Sequence, residues 1–369
     1  METKNNRLTP FMPVAPGVTL KEELEARAIK QKDFSAKIGM RPSHFSELLK
    51  GKRSISSEVA DKLESELGIP AKIWLHLQAD YEYDCKVAEE KSAEEQKAQL
   101  LIQEYEQKID VKLLVRKVKN TTSMTFVEMV DVLQNDLGLP KPSVLFYEQG
   151  KFHKSEKTGT DERAILTWVI LARYVAKQQQ TTASFNRDDD SYYAALLDVF
   201  NQNSGDVLSS TKDILAENGV RFCVVEKIPH ASIDGYSFMD NDGIPSIVVT
   251  MRYNRIDNLA FAVFHELAHL KLHFSDTQRS FVNLLESNKV EDEANKYASL
   301  QLVPDSIWRT RPNVMISSRL IQKHYSEWAE EKGINKWIVM GRIAHETGMY
   351  KFVQDNSREV SGWKCCSFK

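Results

Sequence analysis

The sequence of 369 residues predicts a mainly α-helical protein with one small sheet near its C-terminal end. Three observations support this prediction. Apolar residues recur at helical spacing between glycines and prolines over residues 16–84. Residues 85–118 are rich in Ala, Glu, Lys and Gln, a composition that favours a long solvated helix. β-Branched and apolar runs appear after Gly219, at residues 220–225 and 246–251, and such runs are typical of strands.

The N-terminal region separates into five short helices, because glycines and prolines interrupt the apolar pattern at short intervals. The predicted helices cover residues 19–28, 31–38, 41–51 and 57–67, and a fifth begins near Ala71. Two further helices are predicted over residues 125–137 and 162–179, and a turn at 241–243 joins two of the predicted strands. From Ile256 onward the helical pattern returns.

Shifts in composition divide the chain into five parts. We predict a polar arm over residues 1–15, a five-helix domain over 16–84, a helical linker and middle region over 85–204, an α+β domain over 205–348 and a tail over 349–369. The middle region carries no recognisable chemistry, and we interpret it as a helical spacer and dimerisation surface.

Composition excludes several classes of protein. Hydrophobic residues make up 42% and charged residues 27% of the chain, as in ordinary soluble domains. The four cysteines include no CxxC pair, which fits a reducing cytosol. No apolar run of membrane-spanning length and no signal-peptide pattern occurs, so we expect a cytoplasmic protein without membrane contact. The net charge is −3, so any binding to nucleic acid must rest on a local basic patch.

The segment His265-Glu266-Leu267-Ala268-His269 predicts a metal site. Residues four apart lie on one face of a helix, so both imidazoles can reach one ion. Zinc suits two imidazoles and one carboxylate, and a fourth position then stays open for water. Glu266 is the predicted catalytic residue, acting as general base and later as acid. The alternative is a pair of hydrogen-bonded core histidines.

A third metal ligand is predicted on the next helix, which ends before Pro304. Glu291 and Asn295 lie four residues apart beside its apolar stripe, so Glu291 can bind the metal while Asn295 holds an imidazole. We expect Glu293 on another, solvated face. His273 lies about 12 Å along the first helix from His265, at 1.5 Å per residue, and is predicted not to bind the metal.

The strand before this first helix, residues 244–250, suggests a way to hold an extended substrate. An edge strand can pair with a peptide through main-chain hydrogen bonds. An ordinary core strand is an equal alternative for this segment. Arg252 or Tyr253 after it could stabilise an oxyanion, although a structural role is favoured.

The segments HELAHLKLH and EDEANKYASLQLVP resemble the ImmA/IrrE family of metallopeptidases. The motif of that family is HExxH followed by a glutamate three residues before an Ala-Asn or Ala-Asp pair, and Glu291 stands at that glutamate. The resemblance covers about residues 205–345. It implies a zincin-like α+β fold, a bound zinc ion and cleavage of a protein substrate, typically a transcriptional repressor.

Residues 31–51 predict a helix-turn-helix, in which two apolar-striped helices pack across a tight turn at Gly39. The second helix would enter the major groove of DNA. Residues 41–53 hold four basic residues and one acidic residue. The predicted DNA-contacting residues face bases or follow this helix toward phosphates: Arg41, Ser43, His44, Glu47, Lys50, Lys52 and Arg53. A helical bundle for protein contact is the alternative.

Residues 17–82 resemble the Xre/Cro–cI class of helix-turn-helix proteins, in particular the HigA antitoxin branch. The matching positions include Gln31, Gly39, the Gly51-Lys52-Arg53-Ser54-Ile55 run and Trp74. The resemblance implies a double-stranded DNA operator and a cognate toxin as partner. A homodimer is expected because DNA binding would rest on one local basic patch used in two copies. Pro42 and Glu47 depart from the residues that usually read bases.

Both resemblances together predict a DNA-binding regulator that carries a zinc peptidase domain for a protein substrate. The substrate could be a repressor, a cognate toxin or the chain itself. The main alternative is a DNA-binding antitoxin or repressor whose peptidase fold is a sensor or partner-binding scaffold without turnover. An intact Glu266 favours the enzyme, because a purely structural role does not need this carboxylate.

Overall fold

The protein divides into two compact units, each of which has its own core. Unit 1 holds the chain up to residue 100 with residues 125–127, and unit 2 holds the remainder. The computed structural model describes residues 13–144, 161–231, 233–239, 242–251, 254–274, 280–282, 289–313, 317–349, 351–353 and 355–362. Within these ranges lie fifteen α-helices and four strands, so the predicted mainly helical fold with a small sheet is confirmed.

Unit 1 contains the predicted run of five helices. They are α1 (Pro16–Ala26), α2 (Gln31–Lys37), α3 (Pro42–Leu49), α4 (Ser57–Leu67) and α5 (Ala71–Glu106), of which the last six residues count with unit 2. Buried apolar side chains from all five form one core, in which the rings of Phe34 and Phe45 lie 5.7 Å apart. The fifth predicted helix and the predicted solvated helix are one helix, α5. No glycine or proline interrupts residues 71–106, so nothing ends the helix between them.

Unit 2 begins with five helices that precede its sheet in the chain. They are α6 (Val111–Lys119), α7 (Phe126–Asp131, whose first residues count with unit 1), α8 (Glu162–Lys177), α9 (Tyr193–Gln202) and α10 (Val207–Glu217). The helix predicted over residues 125–137 is divided, because α7 continues as a π-helical turn over Val132–Asp136. Asp161 begins α8 by accepting a hydrogen bond from the Arg163 N–H at 2.9 Å.

The four strands form one mixed sheet in the order β1-β3-β2-β4. They are β1 (Arg221–Val224), β2 (Gly235–Met239), β3 (Pro245–Val249) and β4 (Ser280–Val282). β1 and β3 are parallel, and the other pairs are antiparallel. The hypothesis that residues 244–250 form an edge strand for a substrate is wrong. β3 is hydrogen-bonded to β1 on one side and β2 on the other, so its backbone is already paired.

The sheet lies between two helical layers. On one face, Arg173 of α8 donates a hydrogen bond to the Tyr236 hydroxyl at 2.9 Å and stacks over Phe238. On the other face, α11 (Ile256–Ala268) packs against β2 and β3 and also against α12 (Lys289–Leu302) and α15 (Lys336–Thr347). α11 is therefore buried along most of its length. The remaining helices of this layer are α13 (Asp305–Trp308) and α14 (Ser318–Glu331).

A short segment within the predicted tail packs against unit 2. Arg358 is buried and pairs with the buried Asp257 of α11. Asn203 donates hydrogen bonds to the carbonyl oxygens of Ser357 and Glu359 at 3.0 and 2.7 Å. Among the helices of the described residues, none has both the length and the apolarity needed to cross a membrane.

Candidate metal centre and nucleic-acid interface

α11 and α12 bring together the three predicted metal ligands. The Nε2 atoms of His265 and His269 lie 3.1 Å apart. The Glu291 carboxylate lies 3.0 Å from the first of these nitrogens and 3.5 Å from the second. Both imidazoles are fully buried, and Glu291 is 9% exposed. Three potential ligand atoms therefore converge on one small volume inside unit 2.

The arrangement of these donors fits a zinc ion. Two imidazole nitrogens and a carboxylate oxygen are the donor set of catalytic zinc sites. Zinc ligands at about 2.0–2.2 Å in tetrahedral geometry lie about 3.3 Å from one another, close to the separations found here. Within the part of the chain that the structure describes, this is the one group of three His, Cys, Asp or Glu side chains whose donors lie within 4.8 Å of one another.

Protonation of the ligands also suits a cation. Burial lowers the pKa of His269 to about 4, which leaves this imidazole neutral at pH 7. Burial alone would raise the pKa of Glu291, but hydrogen bonds to the two imidazoles lower it to about 2. His265 is also desolvated, yet its contact with Glu291 raises its pKa in the absence of metal. A metal ion bound here would therefore displace a proton from the pair that His265 and Glu291 form.

Asn295, the residue predicted to hold an imidazole, contacts the outer ring nitrogen of His265. Its Oδ1 lies 3.0 Å from Nδ1 of His265. An amide oxygen only accepts hydrogen bonds, so Nδ1 of His265 carries the proton and Nε2 presents its lone pair to the centre. His273 is outside the three-ligand group, as predicted, but it contacts the other imidazole, His269.

Glu266, the predicted catalytic residue, is next in sequence to His265 and has a buried carboxylate. Its side chain is fully buried, and neither carboxylate oxygen has a hydrogen-bond partner among the described residues. Burial raises the pKa of Glu266 to about 7. A carboxylate with this pKa can both accept and release a proton near neutral pH. The other predicted polar candidates, Arg252 and Tyr253, lie outside the described residues.

Gly235 of β2 shapes the position of this carboxylate, and sequence reasoning missed it. A Cβ atom at this residue would lie 2.1 Å from Oε1 of Glu266, far inside van der Waals contact. Only glycine therefore lets the carboxylate lie against the strand. A glycine that begins a buried strand is a known signal of close approach, but the sequence alone does not reveal which side chain approaches it.

The second predicted site lies in unit 1, on α3 and the residues after it. Gly39, with φ +66°, makes the turn between α2 and α3, and the Met40 N–H donates to the Ser35 carbonyl oxygen at 2.8 Å. The buried side of α3 carries Phe45 and Leu48. On the other side, six predicted DNA-contacting residues are exposed and His44 is partly buried; the six are Arg41, Ser43, Glu47, Lys50, Lys52 and Arg53.

Comparison with protein-family models agrees with this geometry. Residues 20–74 match the helix-turn-helix family. The N-terminal unit is a helix-turn-helix domain. An antidote protein of a plasmid maintenance system from Nostoc punctiforme is 27% identical, and the match covers 23% of this chain and 92% of that chain with a TM-score of 0.22. A HigA-family addiction module antidote protein from Coxiella burnetii is 24% identical, with 22% and 89% coverage and a TM-score of 0.21. No curated protein matches the chain significantly.

Gly235→Ala tests whether this glycine sets the position of the Glu266 carboxylate. We expect the carboxylate to move by about 1 Å or more, which is the shift that restores ordinary contact, while zinc content stays at the wild-type value. Overpacking should also lower the free energy of unfolding by about 1–3 kcal/mol. A crystal structure gives the carboxylate position, metal analysis gives the zinc content, and denaturant unfolding gives the free energy of unfolding. Ser246→Ala, a buried position of β3, is the control. An unmoved carboxylate would contradict the assignment.

Proposed function

We propose that this protein is a DNA-binding regulator whose second unit is a zinc-dependent peptidase for a protein substrate. One observation supports the peptidase most: the buried carboxylate of Glu266 lies next in sequence to a three-donor group whose members lie within 4.8 Å of one another. The resemblance of the two motif segments to the ImmA/IrrE family points to the same chemistry. The DNA-binding part rests on the helix-turn-helix match over residues 20–74.

Each residue of the centre has a distinct role in this proposal. His265, His269 and Glu291 hold the metal, and Asn295 keeps His265 in the tautomer that binds it. Zinc at this position supplies a Lewis acid for the scissile carbonyl and lowers the pKa of water. Glu266 accepts the proton of the attacking water and delivers it to the leaving amine.

The state of Glu266 favours an enzyme over the scaffold alternative. A carboxyl group that is fully buried without a hydrogen bond costs free energy, so a structural site gains nothing from it. Structural zinc sites are also closed by four protein ligands, whereas the described residues supply three donors to this group. Both features are expected when a substrate and water complete the site.

Binding to DNA is proposed for α3 and for the basic residues that follow it. The N-terminal residues of α3 would face base edges, while Lys50, Lys52 and Arg53 would contact phosphates. Because the whole chain carries a net charge of −3, this patch must supply the attraction locally. We propose a homodimer on a double-stranded operator, and a repressor or a cognate toxin as the protein substrate or partner.

Replacing Lys52 and Arg53 together by alanine tests the DNA-binding surface. Loss of two phosphate contacts should weaken binding to a non-specific duplex and reduce the slope of log affinity against log salt by about 2. Fluorescence anisotropy over a salt series measures both quantities. Lys86→Ala is the control, because this lysine of α5 is 75% exposed and lies outside the patch. Equal slopes for wild type and the double variant would exclude this surface.

Glu266→Gln tests the peptidase. We expect unchanged zinc content and DNA affinity, and peptide-bond hydrolysis slower by about 10²–10⁴-fold, because the amide cannot accept a proton. Mass spectrometry of new protein N-termini in cells that express either form identifies the cleaved substrate. Purified proteins then give the rate on that substrate. His269→Ala should lose both zinc and cleavage.

The control for this experiment is Glu331→Gln, which removes an exposed carboxylate of α14 and should leave every readout unchanged. If cells with wild type and with Glu266→Gln contain the same set of N-termini, the peptidase proposal fails. A DNA-binding regulator with a partner-binding scaffold then remains.

A further inference from the structure

His273 contacts the outer nitrogen of a metal ligand. The Nδ1 atoms of His269 and His273 lie 2.9 Å apart, and Nε2 of His273 lies 3.4 Å from a carboxylate oxygen of Glu293. The His273 side chain is 8% exposed and that of Glu293 is 49% exposed. The Glu293 side chain is therefore half exposed to solvent, and it also contacts the imidazole of His273. We infer that His273 and Glu293 are positioning residues that fix His269 for metal binding.

The positions of the hydrogen atoms in the series His269, His273 and Glu293 follow from the proposed metal centre, on which the inference rests. When Nε2 of His269 binds the metal, its lone pair is used there, so the ring hydrogen is on Nδ1. Two nitrogens at 2.9 Å need one donor and one acceptor, so Nδ1 of His273 accepts this hydrogen bond. Nε2 of His273 then carries its own hydrogen and donates it to Glu293.

Local structure supports this arrangement. α11 ends in a π-helical turn over His269–His273, in which the Phe274 N–H donates to the His269 carbonyl oxygen at 3.1 Å. Arg187 in turn donates to the Phe274 carbonyl oxygen at 3.0 Å. The turn thus holds the two imidazole rings with their centroids 5.0 Å apart. π-Helical turns within helices occur frequently at functional sites.

A single stretch of α12 supports both imidazole ligands. Glu291 is the carboxylate ligand, Asn295 accepts from His265, and Glu293 accepts from the His273 ring that contacts His269. Each imidazole therefore has its outer nitrogen engaged, one directly and one through a second ring. Outer partners of this kind fix the tautomer and orientation of a ligand histidine. His273 cannot be a fourth ligand in this geometry, because it meets the outer side of His269.

His273→Phe and His273→Asn test the inference as a pair. Phenylalanine cannot accept the hydrogen bond, so zinc affinity should fall by about 10–100-fold. Asparagine offers an oxygen near the position of Nδ1, so its affinity should stay within about 3-fold of wild type. Competition of the metal-free full-length protein with a chromophoric chelator measures zinc affinity. Leu272→Ala, at a neighbouring side chain that is 48% exposed, is the control.

Glu293→Ala provides a second variant at a half-exposed position, where misfolding is not expected, and should weaken zinc affinity by about 3-fold, less than His273→Phe, because the His273 ring still accepts from His269. The inference is overturned if His273→Phe and Glu293→Ala bind zinc as tightly as Leu272→Ala, or if phenylalanine and asparagine behave alike. Absence of zinc binding in the wild type would instead refute the metal centre itself. The two failures are therefore distinguishable by the wild-type titration.

Discussion

The structure of unit 2 depends on one constraint, namely that donors from two helices share a single buried volume. Without a cation, the Nε2 atoms of His265 and His269 face each other at 3.1 Å in the protein interior. The Glu291 carboxylate lies within 3.5 Å of both nitrogens, so these three buried groups are one another's partners. A divalent ion would satisfy all three donors at once, and its binding free energy would then stabilise the packing of α11 against α12.

This constraint explains why the polar side chains around the centre occur where they do. α11 supplies both imidazoles and Glu266, and the five residues from Glu291 to Asn295 of α12 supply a ligand and two outer acceptors. Gly235 of β2 leaves room for the Glu266 carboxylate, because it has no side chain at that position. The apolar core of unit 2 surrounds these groups and keeps them desolvated, which is the cause of the raised pKa of Glu266.

Local sequence spacing could predict much of this protein, because both sites use residues close together in the chain. The four-residue spacing of His265 and His269 is a property of any helix, and Glu291 and Asn295 follow the same rule on the next helix. The helix-turn-helix is similarly local, with Gly39 at its turn. The sequence predicted helices on both sides of residue 85 but not that they form the single helix α5. No glycine or proline separates the two predicted helices.

Features that depend on distant parts of the chain were not predicted. The position of β3 within the sheet is set by its pairing with β1 and β2, and a strand pattern looks the same at an edge or in the centre. The approach of Gly235 to Glu266 joins residues 31 positions apart. Glu293 looked solvated because its contact with His273 exists only after α11 and α12 have packed together.

The most direct test of the metal centre is X-ray absorption spectroscopy at the zinc edge, combined with metal analysis of the purified full-length protein. The account predicts one zinc ion per chain, bound by two imidazole nitrogens and by oxygen donors at about 2.0–2.2 Å. Protein that contains no stoichiometric metal after zinc is supplied, or zinc bound without imidazole, would contradict it.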